Sequence, residues 1–360
     1  MTRRTFITHT ATIGALGFLP AHTEEPAIPS ARYALYDITW RFDLSHHAGQ
    51  TSLWIPLPSD IEGFQHVVKL GWNSDASECF ETARNRDGAR TLYALWEKSA
   101  AAKTLDLRFT VALRDRRCDF RPRRICSEAI KEAQAFLAPS AHLPTDGAVA
   151  RVAAAIVARE KEPLTKARRI YDWIVANSYR DESVMGCGIG SPNAMLAALE
   201  KEGRMGGKCL DMSALCVALM RASGIPAREV TGVRVGPSRF SSAFGAGEEI
   251  TKAQHCKVEF FTPQHGWIPC DPADITKLVL KEGIEKTSPR ARELTDLFFG
   301  FWENNWMAFN HARDFDLYPA NAQGVLDTFG YPYGEVEGEY LDPFGPASYR
   351  YAIRSTKGTL

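Results

Sequence analysis

Cys209 is the residue whose type and position point most directly to chemistry. It follows Gly206-Gly207-Lys208 and opens CLDMSALCVALMRASGIPAR, a nearly all-apolar run that Gly224-Ile225-Pro226 ends. The run reads as a helix, with the cysteine in its first turn. A cysteine there is either a small core residue or a nucleophile. A free thiol has a pKa near ~8.5, so only a few per cent is thiolate at neutral pH. The positive end of a helix lowers that value, and a neighbouring imidazolium lowers it further. Acyl transfer at Cys209 therefore needs a histidine and a group to orient it.

The stretch AQHCKVEFFTPQHGWIPCDPAD, residues 253–274, offers both. Two short strand-like runs flank the turn-forming TPQHG. Placing His255 opposite Asp271 pairs 256 with 270, 258 with 268 and 260 with 266, and centres the turn on Pro263. Side chains alternate between faces. Cys256, Val258, Phe260, Ile268 and Cys270 then share an apolar face, and His255, Lys257, Glu259, Trp267 and Asp271 share the other. A one-residue slip would turn the apolar set outward, so burial selects this alternation. Cys256 and Cys270 face each other in this register, as two core thiols or as a cross-strand disulfide.

Cys209, His255 and Asp271 together supply a nucleophile, a proton carrier and an orienting carboxylate. The thiolate would attack a carbonyl carbon and His255 would protonate the leaving amine. The backbone N–H of Cys209, unpaired at a helix start, would bind the oxyanion. Gly206 and Gly207 are expected to leave the approach open. Tyr179 and Asn177 are two candidates for a second oxyanion donor upstream. Asp211, two residues after the cysteine, reads as a local cap or ion-pair partner.

These motifs closely resemble the transglutaminase-like superfamily. The resemblance is carried by GGKCLDMSALCVALMRASGIPAREVTGVRVG, including Gly207, Cys209, Arg221, Gly224, Ile225, Pro226 and Arg228, then by QHCKVEFF and GWIPCDPAD. It covers roughly residues 150–280. LWIPLPSD and FGYPYGEVEG look, less specifically, like secreted bacterial members. The resemblance implies a papain-like core in which Cys209 is the nucleophile, His255 the general base and acid, and Asp271 the orienting residue. Many members carry an aromatic residue two positions after the histidine. Here it is Lys257, so no substrate stacking is expected at that position. The resemblance also implies acyl transfer from an amide through a thioester. Without a device that excludes water, the thioester hydrolyses. Hydrolysis of a peptide or cell-envelope amide is therefore expected, against amine transfer that crosslinks proteins, or a non-catalytic binding module on the same fold. The partner implied is a peptide or protein amide; no cofactor and no metal are expected.

The elements around these residues read as α+β. Residues 31–120 alternate apolar and polar positions in five strand-like runs and predict a small β-sandwich-like domain. Residues 126–280 begin with helical spacing at 126–139, 148–160 and 165–179, with Thr165 a candidate cap, and a short helix at 192–201. The Cys209 helix and then strands follow, which makes this segment the catalytic core. Residues 281–360 are expected to complete that core. Trp302, Trp306 and Phe309 fall at helical spacing and read as core residues.

Residues 1–26 carry Arg3-Arg4 ahead of a modest apolar stretch at about 11–21, the pattern of a twin-arginine signal peptide. A periplasmic or extracellular location is expected, with no stable membrane anchor after cleavage. Lys plus Arg and Asp plus Glu each number 43, so nothing in the charge favours nucleic acid as a partner. The eight cysteines include no C-x-x-C pair, which argues against a structural zinc site. The sequence does not set the oligomeric state.

Overall fold

The computed structural model describes residues 33–358. The expected signal peptide lies outside the described residues. No helix among those described is long and apolar enough to cross a membrane.

A four-stranded antiparallel sheet lies at the centre of the functional region. Its order is Gly266–Cys270, Gln254–Thr262, Ala227–Arg234 and Trp306–Asn310. The helix Cys209–Ala222 packs across the strand Gln254–Thr262. With helices Gly147–Val157, Pro163–Asn177 and Pro272–Glu282 it encloses one core, which includes Met212, Cys216, Val258, Phe260 and Ile268. Val233, Met307 and Phe309 of the same central sheet join a second core containing Trp40, Ile55, Trp96 and Leu107. The sheet is thus covered on both sides. That explains why eight of the nine residues of Gln254–Thr262 are buried, polar ones included.

The second core belongs to the N-terminal β region. One of its sheets runs Tyr351–Lys357, Ala34–Asp43, Thr104–Leu113, Gln65–Ser74. The other runs Glu339–Tyr340, Tyr333–Val336, Thr51–Pro56, Thr91–Trp96, Glu78–Thr82. The strands read from the alternation are present, and Glu78–Thr82 is an additional one. Residues 281–360 complete the core only in part. Trp306–Asn310 joins the central sheet, whereas the strands from Tyr333 onward close the N-terminal sheets. A chain end can supply the edge partners that an early sheet lacks, and local pattern does not show which sheet it will join.

Three local readings are corrected. Helix Pro163–Asn177 is capped by the Glu162 side chain, which accepts from the N–H of Thr165; Thr165 is not the cap. Trp302 and Trp306 are fully buried, but they lie on strands, Phe301–Trp302 and Trp306–Asn310, as does Phe309. Asp271 does not lie within a strand. It caps the helix Pro272–Glu282, accepting from the N–H of Asp274, with Pro272 at the first helical position.

The hairpin register also differs by two. Val258 pairs with Cys270, Phe260 with Ile268 and Thr262 with Gly266. A three-residue turn, Pro263–His265, closes the hairpin, and Gly266 adopts φ +76°. This is the turn-plus-left-handed-residue geometry that three-residue hairpins favour. A slip of two leaves every side chain on its face, so burial could not separate the two registers. Cys256 therefore faces Thr231 on the neighbouring strand, not Cys270. Both cysteines are free and buried, which is the core-thiol alternative and not the cross-strand disulfide.

Candidate active site

The candidate site is assembled where the Cys209 helix begins over the start of strand Gln254–Thr262. Gly207 ends a short strand, Met205–Gly207, paired in parallel with Ser178–Arg180. Lys208 turns the chain into the helix, and Asp211 fixes that turn. The Asp211 carboxylate accepts from the N–H of Lys208 at 2.9 Å, and from those of Ile189 and Gly190, both at 2.9 Å. Burial pushes its carboxyl up, against the pull of these three donors. The reading of Asp211 as a local cap holds, and its wider effect is to tie the 186–190 loop to the helix start. Gly188 sits at φ +96°, and a Cβ there would overlap the Asp211 carboxylate.

His255 lies opposite Gly232 on the strand Ala227–Arg234. Its Nε2 is 2.7 Å from Asp271 Oδ2 and 3.5 Å from Asp274 Oδ1. Nε2 is committed to carboxylates, so Nδ1 is the ring nitrogen left for the thiol. The Sγ atoms of Cys187 and Cys256 lie within 4.8 Å of the Cys209 sulfur, and the His255 imidazole is near enough to act on it electrostatically. The Cys187 and Cys256 thiols, then burial acting in opposition, then His255 set its titration. The outcome is a Cys209 thiol well below the usual thiol range. Cys187 and Cys256 are pushed up by the same contacts and by burial. The structure therefore gathers Cys209, His255 and Asp271 into one buried cluster, although not through the cross-strand pairing of His255 with Asp271.

Continuing the hairpin register one step places Asp271 across from Lys257, and Lys257 Nζ lies 2.5 Å from Asp271 Oδ2. Burial opposes ionisation of Asp274. Arg234, His255 and Lys257 outweigh it and hold the carboxyl far below its ordinary range. Arg234 Nη2 is 2.5 Å from Asp274 Oδ1. The imidazole thus faces two carboxylates, each shared with a buried cation. Sequence reasoning missed Asp274, although D-P-A-D is a recognisable cap pattern with an acid at the third helical position. It also missed Cys187, whose only signal is its place in the glycine-rich GCGIG.

The N–H of Cys209 makes no hydrogen bond among the described residues and is free to bind an oxyanion. Tyr179 pairs with Gly206, and a Cβ on Gly206 would meet the Tyr179 hydroxyl. Asn177 instead donates to the carbonyl of Trp173 at the end of its helix and takes no part in the site. Gly206 and Gly207 serve close packing against Tyr179 and Asp211 and do not open an approach.

A cavity of about 390 Å³ lies beside this cluster and reaches Cys187 and Cys256, with Leu210, Gln254, Tyr331 and Phe344 also lining it; Cys209 and His255 lie behind its wall. Its far wall comes from residues 323–344, a segment the sequence reading did not connect with the site.

An α+β core with a cysteine at a helix start, a histidine on the adjoining strand and a helix-capping carboxylate beside it defines a papain-like thiol fold. Residues 150–272 match the model of the transglutaminase-like superfamily. Over 343 residues the chain is 36% identical to an uncharacterized protein of Haemophilus influenzae, covering 90% of this chain and 91% of the relative. The chain belongs to the transglutaminase-like superfamily. Among solved structures, a candidate cysteine protease from Cytophaga hutchinsonii aligns with TM-score 0.49 and 16% identity, over 91% of this chain and 99% of that one. The periplasmic domain of TgpA from Pseudomonas aeruginosa aligns with TM-score 0.35 and 14% identity, over 71% and 92% respectively.

Proposed function

We propose that this protein is a cysteine-dependent amide hydrolase acting on a peptide or cell-envelope amide. The observation that carries the reading is the buried His255–Asp271 pair, Nε2 to Oδ2 at 2.7 Å, beside a Cys209 thiol held below its ordinary range in part by that imidazole. The Cys209 thiolate attacks the amide carbonyl carbon, forming a C–S bond and a tetrahedral oxyanion. The N–H of Cys209 holds that oxyanion, and Tyr179 is the candidate second donor. As the C–N bond breaks, the His255 imidazolium passes its proton to the leaving amine. His255 then takes a proton from water, hydroxide attacks the thioester carbonyl, and the acid leaves as Cys209 regains its thiolate. Asp271 holds the imidazole in the tautomer these steps require.

Hydrolysis is favoured over amine transfer on the expectation that a thioester not shielded from water hydrolyses. We place the protein in the periplasm or outside the cell, on the strength of the twin-arginine segment in residues 1–26.

The test offers the purified protein a peptide-amide library together with a labelled primary amine. Release of acid without amine incorporation is the expected result. Incorporation as the main product would replace hydrolysis by transfer. If Cys209→Ala cleaves as fast as the parent, the cysteine mechanism is wrong.

A further inference from the structure

Three thiols from separate segments meet at the head of the Cys209 helix. The Sγ atoms of Cys187, Cys209 and Cys256 all lie within 4.8 Å of one another, and all three residues are buried. Acyl transfer needs only one of them. Cys187 stands on the loop that Asp211 ties down through two backbone N–H groups, so its position is fixed by the fold. Cys256 is fixed by pairing with Thr231 in the central sheet. Cys187 and Cys256 both line the 390 Å³ cavity, and the Tyr331 hydroxyl lies 3.2 Å from Cys187 Sγ.

We propose that Cys187, Cys209 and Cys256 form a three-sulfur site for a soft, thiophilic cation of the Zn²⁺ type, and that its occupancy takes Cys209 out of use as a nucleophile. The second half of the proposal rests on the function proposed above; the binding site itself does not. Thiolates bound at about 2.3 Å to one ion stand roughly 4 Å apart, so small rotations of side chains whose sulfurs already lie within 4.8 Å would close the site. Three sulfurs select zinc-like and cuprous ions over Mg²⁺ or Ca²⁺, which need oxygen ligands. The cavity gives the ion a route in and leaves space for a water as fourth ligand. The three residues lie far apart in sequence, which is why ligand spacing did not reveal them.

The test uses the reduced, metal-free full-length chain. Zn²⁺ is added in competition with a chromophoric chelator, and bound metal is counted by mass spectrometry after gel filtration. Cd²⁺ serves as a second probe, because its near-ultraviolet thiolate absorption scales with the number of sulfurs bound. One ion per chain with a three-thiolate Cd²⁺ band is expected. Cys187→Ser and Cys256→Ser, checked for folding by circular dichroism, should each weaken Zn²⁺ binding by about a hundredfold or more. A folded chain that retains no ion, a one-thiolate band, or serine variants that bind as tightly as the parent would overturn the site. Iodoacetamide labelling of Cys209 separates the two ideas. Slow labelling of the metal-free chain alongside intact three-thiolate binding sinks the nucleophile and keeps the site. Fast labelling that one equivalent of bound Zn²⁺ does not slow sinks the blocking role.

Discussion

Lys257 Nζ and His255 Nε2 share a single carboxylate oxygen, Asp271 Oδ2, at 2.5 and 2.7 Å. The lysine occupies the position where many relatives are expected to carry an aromatic residue. It points into the core, toward Asp271 and the ring of Trp306, and not toward a substrate. It draws part of the carboxylate's charge away from the imidazole. Lys257→Met should leave the Asp271 carboxylate with one donor fewer and loosen its hold on the imidazole, lowering kcat by about tenfold with KM little changed. An unchanged kcat would show that Lys257 does not act through Asp271.

Asp271 has two duties that substitution can separate. Its Oδ2 orients His255, and its Oδ1 caps the helix Pro272–Glu282. Asn can still cap but carries no charge. Asp271→Asn and Asp271→Ala should both lose roughly 10³–10⁴-fold in kcat. The alanine variant should be less stable than the asparagine variant by about 1 kcal/mol in denaturant melts. Equal stability would remove the capping role, and full activity in Asp271→Asn would remove the orienting one.

The depressed Cys209 thiol predicts a shallower labelling profile. An ordinary thiol loses reactivity about tenfold per pH unit below ~8.5. Cys209 should lose less than that with iodoacetamide as pH falls from ~8.5, because its thiol is held well below the ordinary range. His255→Ala should restore part of the ordinary fall. An ordinary titration curve in the parent would mean the thiolate is not held.

The 186–190 loop should tolerate little change at Gly188. Alanine there meets both a left-handed backbone and the Asp211 carboxylate. Gly188→Ala should cost about 3 kcal/mol, from strain and from the loosened hydrogen bonds to Asp211. Gly203→Ala is the control: φ is +73°, but a Cβ there meets nothing within 4 Å, so only about 1 kcal/mol is expected. Similar losses at both sites would mean the Asp211 contact carries no weight.

Glu259 anchors the same strand from its buried middle, 2.5 Å from both Arg116 Nη1 and Arg228 Nη2. Burial opposes ionisation, but the two guanidinium groups win and hold the carboxyl at about 2, against 4.5 normally. A lowered folded-state value stabilises above the unfolded value and is lost as pH falls through the folded one. The ionised group thus contributes about 3 kcal/mol at neutral pH. Glu259→Gln should lose that much at pH 7, and the gap to the parent should close between pH 4.5 and about 2. A pH-independent gap would place the loss in packing.

The chain's own residues were enough to find the Cys209 helix, the strands of the N-terminal region, and the candidates Cys209, His255 and Asp271. Each of these rests on local periodicity, capping and turn chemistry, which act over a few residues and can be read directly. Tertiary structure decided the rest. The hairpin register moved by two because both registers bury the same faces, and only the turn geometry around Gly266 separates them. The roles of Lys257 and Asp274 depend on that register and on a helix beginning at Pro272. The meeting of Cys187 with Cys209 and Cys256, and the cavity wall from residues 323–344, depend on segments far apart in sequence. Local pattern sets which face of an element is buried, but which distant residue arrives at that face is decided only when the layers pack.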